Sequence, residues 1–260
     1  MSKIITQIYE VQTPSEAEKL ISLGVDHVGS VIVSIEEWKV PLIKDTIDTI
    51  DGSGARSSLI PLFSDINIIL SVIDYYSPDI IHFCEALTFQ HNVFRTYNEL
   101  LLLQENVKKR YPEITIMRSI PIPQSGLADP TDTLELARMF EPVSDYFLTD
   151  TLIVKKSGSL SEHQPVRGFV GITGRTCDWD VAAELVKSSR IPVILAGGMT
   201  PDNVFDGIMN VRPAGVDSCT GTNALDSKGN LIRFKKDFGK VKQFVDKTRE
   251  AERAIGHRST

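Results

Sequence analysis

The sequence predicts an α/β fold made of a single closed barrel, the (β/α)8 TIM class, and three observations lead to it. Its 260 residues match the usual size of one such barrel, about 250 residues. Short apolar runs of strand length alternate with longer amphipathic stretches from end to end, the pattern of β/α units around a parallel sheet. Counting those units gives eight, and the helices between them carry recognisable start signals.

Strands are expected at 3–9, 27–33, 59–63, 80–84, 115–120, 146–149, 192–196 and 215–217. Before the first helix, Thr13-Pro14-Ser15-Glu16 combines an N-cap hydroxyl, proline at the first helical position and a glutamate three residues after the cap. Gly24 follows that helix where a left-handed C-terminal cap belongs. Asp129-Pro130 and Thr200-Pro201-Asp202 repeat the cap-then-proline arrangement. The run from Pro192 to Ala196 is apolar throughout, as suits a strand covered inside by packed side chains and outside by helices. No linker divides the chain, so the barrel is expected to occupy 1–250, with 251–260 a frayed tail. Between Thr151 and Cys177 no periodicity is evident, and structureless connections beyond about 15 residues are usually functional or disordered. Lys155, Lys156, Arg167 and Arg175 fall there, so this stretch reads either as a basic lid over an anion or as a solvated insertion.

Composition removes several classes of function. Net charge is −6, with 42% hydrophobic and 24% charged residues and no basic face, so nucleic acid has no electrostatic footprint. Three cysteines, Cys84, Cys177 and Cys219, stand far apart, which argues against disulfides or zinc and for a reducing compartment. The amino terminus shows no leader pattern, and no apolar run reaches about 18 residues, so a cytoplasmic protein without a membrane partner is expected. No His/Asp/Glu cluster has ligand spacing, so no metal or organic cofactor is expected. A homodimer is the assembly left open.

In a parallel barrel the ligand site forms from the loops after the strands, with phosphate commonly held after the seventh and eighth. Three small-residue turns fall in this region: Gly171-Ile172-Thr173-Gly174, Ala196-Gly197-Gly198 and Ser218-Cys219-Thr220-Gly221. A dianion is bound by backbone N–H groups, which approach closely only where no Cβ intervenes. A phosphorylated small molecule is therefore the expected ligand, with Gly171, Thr173, Gly174, Gly197, Gly198, Ser218, Thr220 and Gly221 as candidate contacts.

These segments, taken with Arg175-Thr176-Cys177-Asp178-Trp179 and Met199-Thr200-Pro201-Asp202-Asn203-Val204, resemble the carboxyl-terminal half of the phosphoribosylanthranilate isomerase family. Lys235-Lys236-Asp237 followed by 241–245 is similar to that family's last helix. A fainter likeness runs forward through Pro14-Ser15-Glu16-Ala17, residues 24–29, Leu62-Phe63 and 81–84. The resemblance implies an Amadori rearrangement of an aminated phosphoribose, in which an acid protonates the ring oxygen and a base removes the C2 proton. Asp150, in the family's strand-six aspartate position, is the implied acid. It needs a raised pKa to hold a proton near neutrality. Where the family has a cysteine and a glycine after strand one, this chain has Tyr9 and Glu10. Tyr9 ordinarily titrates near 10, Glu10 is the easier base or else a solvated loop residue, and Gln7 cannot act. The family's carboxylate-binding arginine is replaced by Val33-Ser34-Ile35-Glu36-Glu37-Trp38-Lys39, where Lys39 is no equivalent fork. Arg118 either faces the mouth or forms a structural ion pair. Asp217 matches a family aspartate and is expected to play a supporting part. Cys84 and Cys219 are expected to be buried thiols rather than nucleophiles. The alternatives are a phosphosugar aldolase or lyase on the same scaffold and a non-catalytic phosphosugar-binding barrel.

Overall fold

The computed structural model describes residues 3–87, 94–127, 130–154 and 168–257. Eight parallel strands close into a barrel in chain order: β1 (Ile5–Ile8), β2 (His27–Ile32), β3 (Arg56–Pro61), β4 (Ile80–Phe83), β5 (Thr115–Pro123), β6 (Tyr146–Leu152), β7 (Val193–Leu195) and β8 (Gly215–Ser218). The barrel shuts where β1 pairs with β8, in a register that sets Gln7 opposite Asp217. On its other edge β1 sets Gln7 opposite His27 of β2.

The connecting helices are α1 (Pro14–Ser22), α2 (Pro41–Ile50), α3 (Ile66–Tyr76), α4 (Phe94–Arg110), α5 (Pro130–Phe140), α6 (Trp179–Ser188) and α7 (Val204–Val211), with α8 (Phe238–His257) closing the chain. The Thr13 hydroxyl caps α1 as its sequence predicts, accepting from the Glu16 amide at 3.4 Å. Helix α6 is capped by Asp178, whose carboxylate accepts from Asp180 and Val181. Asp129 lies outside the described residues, as do Lys155, Lys156 and Arg167.

Alternation along the strands sorts side chains into two cores. Ile80, Met117, Leu148 and Ile194 fill the barrel, whereas Val28, Leu59, Ile81 and Phe147 belong to the larger core shared with the helices. That alternation corrects one expectation. Arg118 follows the inward Met117, so it points out of the barrel and is fully buried in the helix layer. There it is ion-paired with Glu85, bonded to Gln104 Oε1 at 2.6 Å and placed over the Phe83 and Phe140 rings. It does not reach the mouth.

Two further expectations change near the carboxyl terminus. Lys235 and Lys236 belong not to the last helix but to a hairpin of β9 (Asn223–Leu225) and β10 (Leu231–Lys236) inserted after β8. The tail expected to fray after Glu250 is helical to His257, because Ala251 is wholly buried against the barrel and Arg249 bonds Asp26 and the Ile4 carbonyl. Among the described residues no helix is long and apolar enough to cross a membrane.

Candidate functional site

Loops that leave the carboxyl ends of the strands meet at one rim. The turn after β6 supplies Thr173 and Gly174, the turn after β7 Gly197 and Gly198, and the turn after β8 Thr220, and together these line a niche of about 300 Å3. The turns interlock so closely that glycine is obligatory at Gly198. Its φ is +62°, and an added Cβ would collide with the Arg175 carbonyl group. Gly221, Ser218 and Gly171, expected among the anion contacts, are placed elsewhere. Gly221 packs behind the niche against the Met199 carbonyl, which also accepts the Ser218 hydroxyl at 2.8 Å. Gly171 lies instead against the Asp150 carboxylate. The amides of Gly174, Gly197 and Gly198 donate to no other described residue, so they remain free to receive an anion.

A second, larger chamber opens beside the niche. Val31, Ile60, Leu62, Leu148, Phe169 and Val170 make its walls apolar. Asp150 and Asp217 line both spaces and therefore stand at their junction. Burial raises Asp150 from 3.8 to about 7, against the pull of the Thr151 amide, which donates to Oδ1 at 2.8 Å. Burial likewise raises Asp217 to about 8, with the nearby Asp150 charge adding to the rise and the Gln7 hydrogen bond opposing it. Two carboxyls so placed titrate as a pair near neutrality, and one of them can hold a proton while the other is charged.

The two residues expected to replace the missing base do not suit it. Tyr9 is buried, with its hydroxyl 2.5 Å from Ser58 Oγ and 2.7 Å from His82 Nδ1. Burial pushes its phenol well above 10, so it keeps its proton at neutral pH. Glu10 is neither solvated nor free: it is fully buried in a left-handed backbone conformation (φ 64°). One of its carboxylate oxygens takes Nε and Nη2 of Arg233, at 2.8 and 2.6 Å, and the other takes Asn223 Nδ2 at 3.1 Å. Burial opposes its charge, but the Asn223 and Arg233 bonds outweigh that and hold its pKa below the ordinary value. A carboxylate spent on an ion pair is a poor proton acceptor. The hairpin was the missing information, since Arg233 stands 223 residues from Glu10.

Other candidates are placed plainly. Cys84 and Cys219 line the chamber with thiols raised well above 9 by burial. Lys39 is exposed on the surface and its ammonium sits over the Trp38 and Tyr75 rings. Arg175 is exposed beside the niche, its carbonyl accepting from Thr151 Oγ1 at 2.6 Å. Among the described residues no group of three His, Cys, Asp or Glu side chains is arranged to hold a metal. The reading of residue types overlooked a buried polar string, Ser58–Tyr9–His82–Ser119, and a second one through His27 and Gln7. The available signal was polar residues inside otherwise apolar strands.

A family model described as N-(5'-phosphoribosyl)anthranilate isomerase matches residues 107–247. A protein of that name from Methanocella arvoryzae is 32% identical over 145 residues, 56% of this chain and 55% of the relative. The chain thus spans little more than half the length of that relative. A second, from Methanosarcina acetivorans, is 25% identical over 95% of this chain and 94% of its own length. Among solved structures, the phosphoribosylanthranilate isomerase of Thermotoga maritima, described as dimeric, superposes with a TM-score of 0.66 at 18% identity, covering 95% of this chain and 99% of that one. An isomerase in complex with reduced 1-(o-carboxyphenylamino)-1-deoxyribulose 5-phosphate gives the same TM-score, identity and coverage. Likeness at that identity shows the fold.

Proposed function

This chain belongs to the N-(5'-phosphoribosyl)anthranilate isomerase family, and from that premise we propose that it catalyses an Amadori-type isomerisation of a phosphorylated N-substituted ribosylamine. In the family setting that places it in tryptophan biosynthesis. The carrying observation is the adjacency of three interlocked turns with free amides to a carboxyl whose pKa is raised to about 7. In this reading Thr173, Gly174, Gly197, Gly198 and Thr220 hold the phosphate, whose charge the backbone dipoles neutralise. Asp150, tethered at Oδ1 by the Thr151 amide, protonates the ring oxygen and opens the sugar. The chamber then receives the nitrogen substituent. Neither a metal nor an organic cofactor enters this scheme.

The test is consumption of N-(5'-phosphoribosyl)anthranilate by the protein and by Asp150→Asn. The parent should turn over, and the variant should lose about 100-fold or more in kcat, the usual contribution of a positioned general acid. Phosphosugar binding with no turnover by the parent would instead favour the non-catalytic barrel. A Schiff-base aldolase needs a free lysine in the site. Lys236, the one buried lysine among the described residues, has its amine bonded to the Cys219 carbonyl and to Asn223. The dimeric Thermotoga maritima relative supports a homodimer here, to be checked by sedimentation, and the reading places the protein in the cytoplasm.

A further inference from the structure

Opening the sugar requires an acid, but completing the isomerisation requires a base at C2, and neither Tyr9 nor Glu10 serves. We propose that Asp217 is that base, oriented by a relay of Gln7 and His27 across the seam where the barrel closes. This inference rests on the isomerase reading above.

Position supports it first. Asp217 lines both the niche and the chamber, as Asp150 does, so the two carboxyls flank the point where a sugar phosphate anchored in the niche must present its first carbons to the chamber. Asp217 is 94% buried, at 6% exposure, and its Oδ1 accepts from Gln7 Nε2 at 3.1 Å. Its Oδ2 is bonded to no described residue and is available for a substrate proton.

Gln7 links His27 to Asp217. Gln7, His27 and Asp217 are register neighbours on β1, β2 and β8 respectively. His27 Nδ1 lies 3.0 Å from Gln7 Oε1. Burial lowers the His27 pKa to about 4, so its ring is neutral, and an amide oxygen can only accept; Nδ1 must therefore carry the proton and donate. With Oε1 on the His27 side, Nε2 faces Asp217, where a donor stabilises the charged carboxylate over the neutral acid. Asp217 still has the higher pKa of the two, about 8 against about 7, so in the singly protonated pair the form with Asp150 protonated and Asp217 charged is the minority, about one in ten, and the reaction proceeds through it.

The proton balance closes on these two carboxyls. Asp150 gives its proton to the ring oxygen as the C1–O bond breaks and the nitrogen lone pair forms C=N. Asp217 takes the C2 proton; the C–H electrons become C1=C2, and the C=N electrons return to nitrogen. The resulting enolamine ketonises when Asp217 returns a proton to C1 and the C2 hydroxyl gives its own to the Asp150 carboxylate. Both residues end as they began.

The experiment is steady-state kinetics of the full chain on N-(5'-phosphoribosyl)anthranilate across pH, for the parent, Asp217→Asn, Asp217→Glu and Gln7→Leu. The groups facing Asp217 are Asp150, Gln7, Lys236, Tyr9 and Cys219. In the parent the rate should be bell-shaped, with its two limbs near 7 and 8 belonging to the pair rather than to either residue. Asp217→Asn should lose kcat by at least about 100-fold. It should keep KM and its affinity for reduced 1-(o-carboxyphenylamino)-1-deoxyribulose 5-phosphate within about threefold, and lose the acid limb, on which the rate rises as the base deprotonates. Asp217→Glu should recover part of the rate. Gln7→Leu should move the acid limb upward by about one pH unit. Asp217→Asn with its rate intact, or with raised KM at unchanged kcat, overturns the assignment and leaves the isomerase reading standing. No turnover by the parent overturns both.

Discussion

Replacing Asp150 by asparagine should make the protein more stable at alkaline pH while disabling it. A native carboxyl raised from 3.8 to about 7 binds its proton more tightly than the same group in the unfolded chain. Between those two values the native state holds more protons, so stability falls as pH rises, and above 7 the penalty is complete. At about 1.4 kcal/mol per pH unit, the rise corresponds to about 4 kcal/mol. Asp150 is half-buried at the mouth, and water there reduces the figure to about 2 kcal/mol. Asparagine carries no charge at any pH and retains an oxygen to accept from Thr151. For a chain of this size about 2 kcal/mol is a rise of about 4–8 °C in Tm at pH 8, shrinking to about 1 °C or less at pH 4, where the native carboxyl is protonated and the unfolded one is about two-fifths protonated. Differential scanning calorimetry at both pH values reads it directly. A Tm difference that is the same at pH 4 and pH 8, or a loss of stability at pH 8, would refute the claim that burial raises this carboxyl.

The remaining predictions concern the groups around it. Tyr9→Phe should change kcat by less than about threefold, since loss of a true base would cost a hundredfold or more. Urea denaturation should show the same variant losing about 1–2 kcal/mol, because Ser58 and His82 each lose a partner. Gly198→Ala should abolish the Tm rise that millimolar inorganic phosphate gives the parent, and an unchanged rise would remove the niche from the reading. Arg233→Gln should destabilise the fold by about 1–2 kcal/mol at pH 7, a value discounted because Arg233 is 42% exposed. The Glu10 pKa is lowered, so its contribution is present above 4.5 and fades as pH falls through the lower native value. The cost of Arg233→Gln should therefore shrink at pH 3.5, as urea titrations at the two values would show.

Much of the fold could be read directly, because strand and helix periods are local properties of a chain. All eight barrel strands fall where alternating runs predict them, and only β3 begins clearly earlier, at Arg56. The Thr13 cap and the glycine turns were equally legible, since a hydroxyl before a helix and a residue without Cβ have the same meaning wherever the chain goes. The β9–β10 hairpin was not, because its exposed, charged strand resembles the approach to a helix. Arg118 was misplaced for a related reason: inward or outward is decided by a register of one residue, and an arginine in a strand is open to both readings.

The site divides along the same line. Sequence by itself determined which residues have the required chemistry: a carboxyl after strand six, glycines after strands six to eight and the lack of a conventional base after strand one. Only the tertiary structure decided their condition. Closure of β1 on β8 brings Gln7 against Asp217, 210 residues away, and buries it beside Asp150. A hairpin folded back over the mouth neutralises Glu10. Protonation state depends on what surrounds a group in three dimensions, on desolvation and on charges brought in from distant segments, and none of these is a property of the neighbouring sequence.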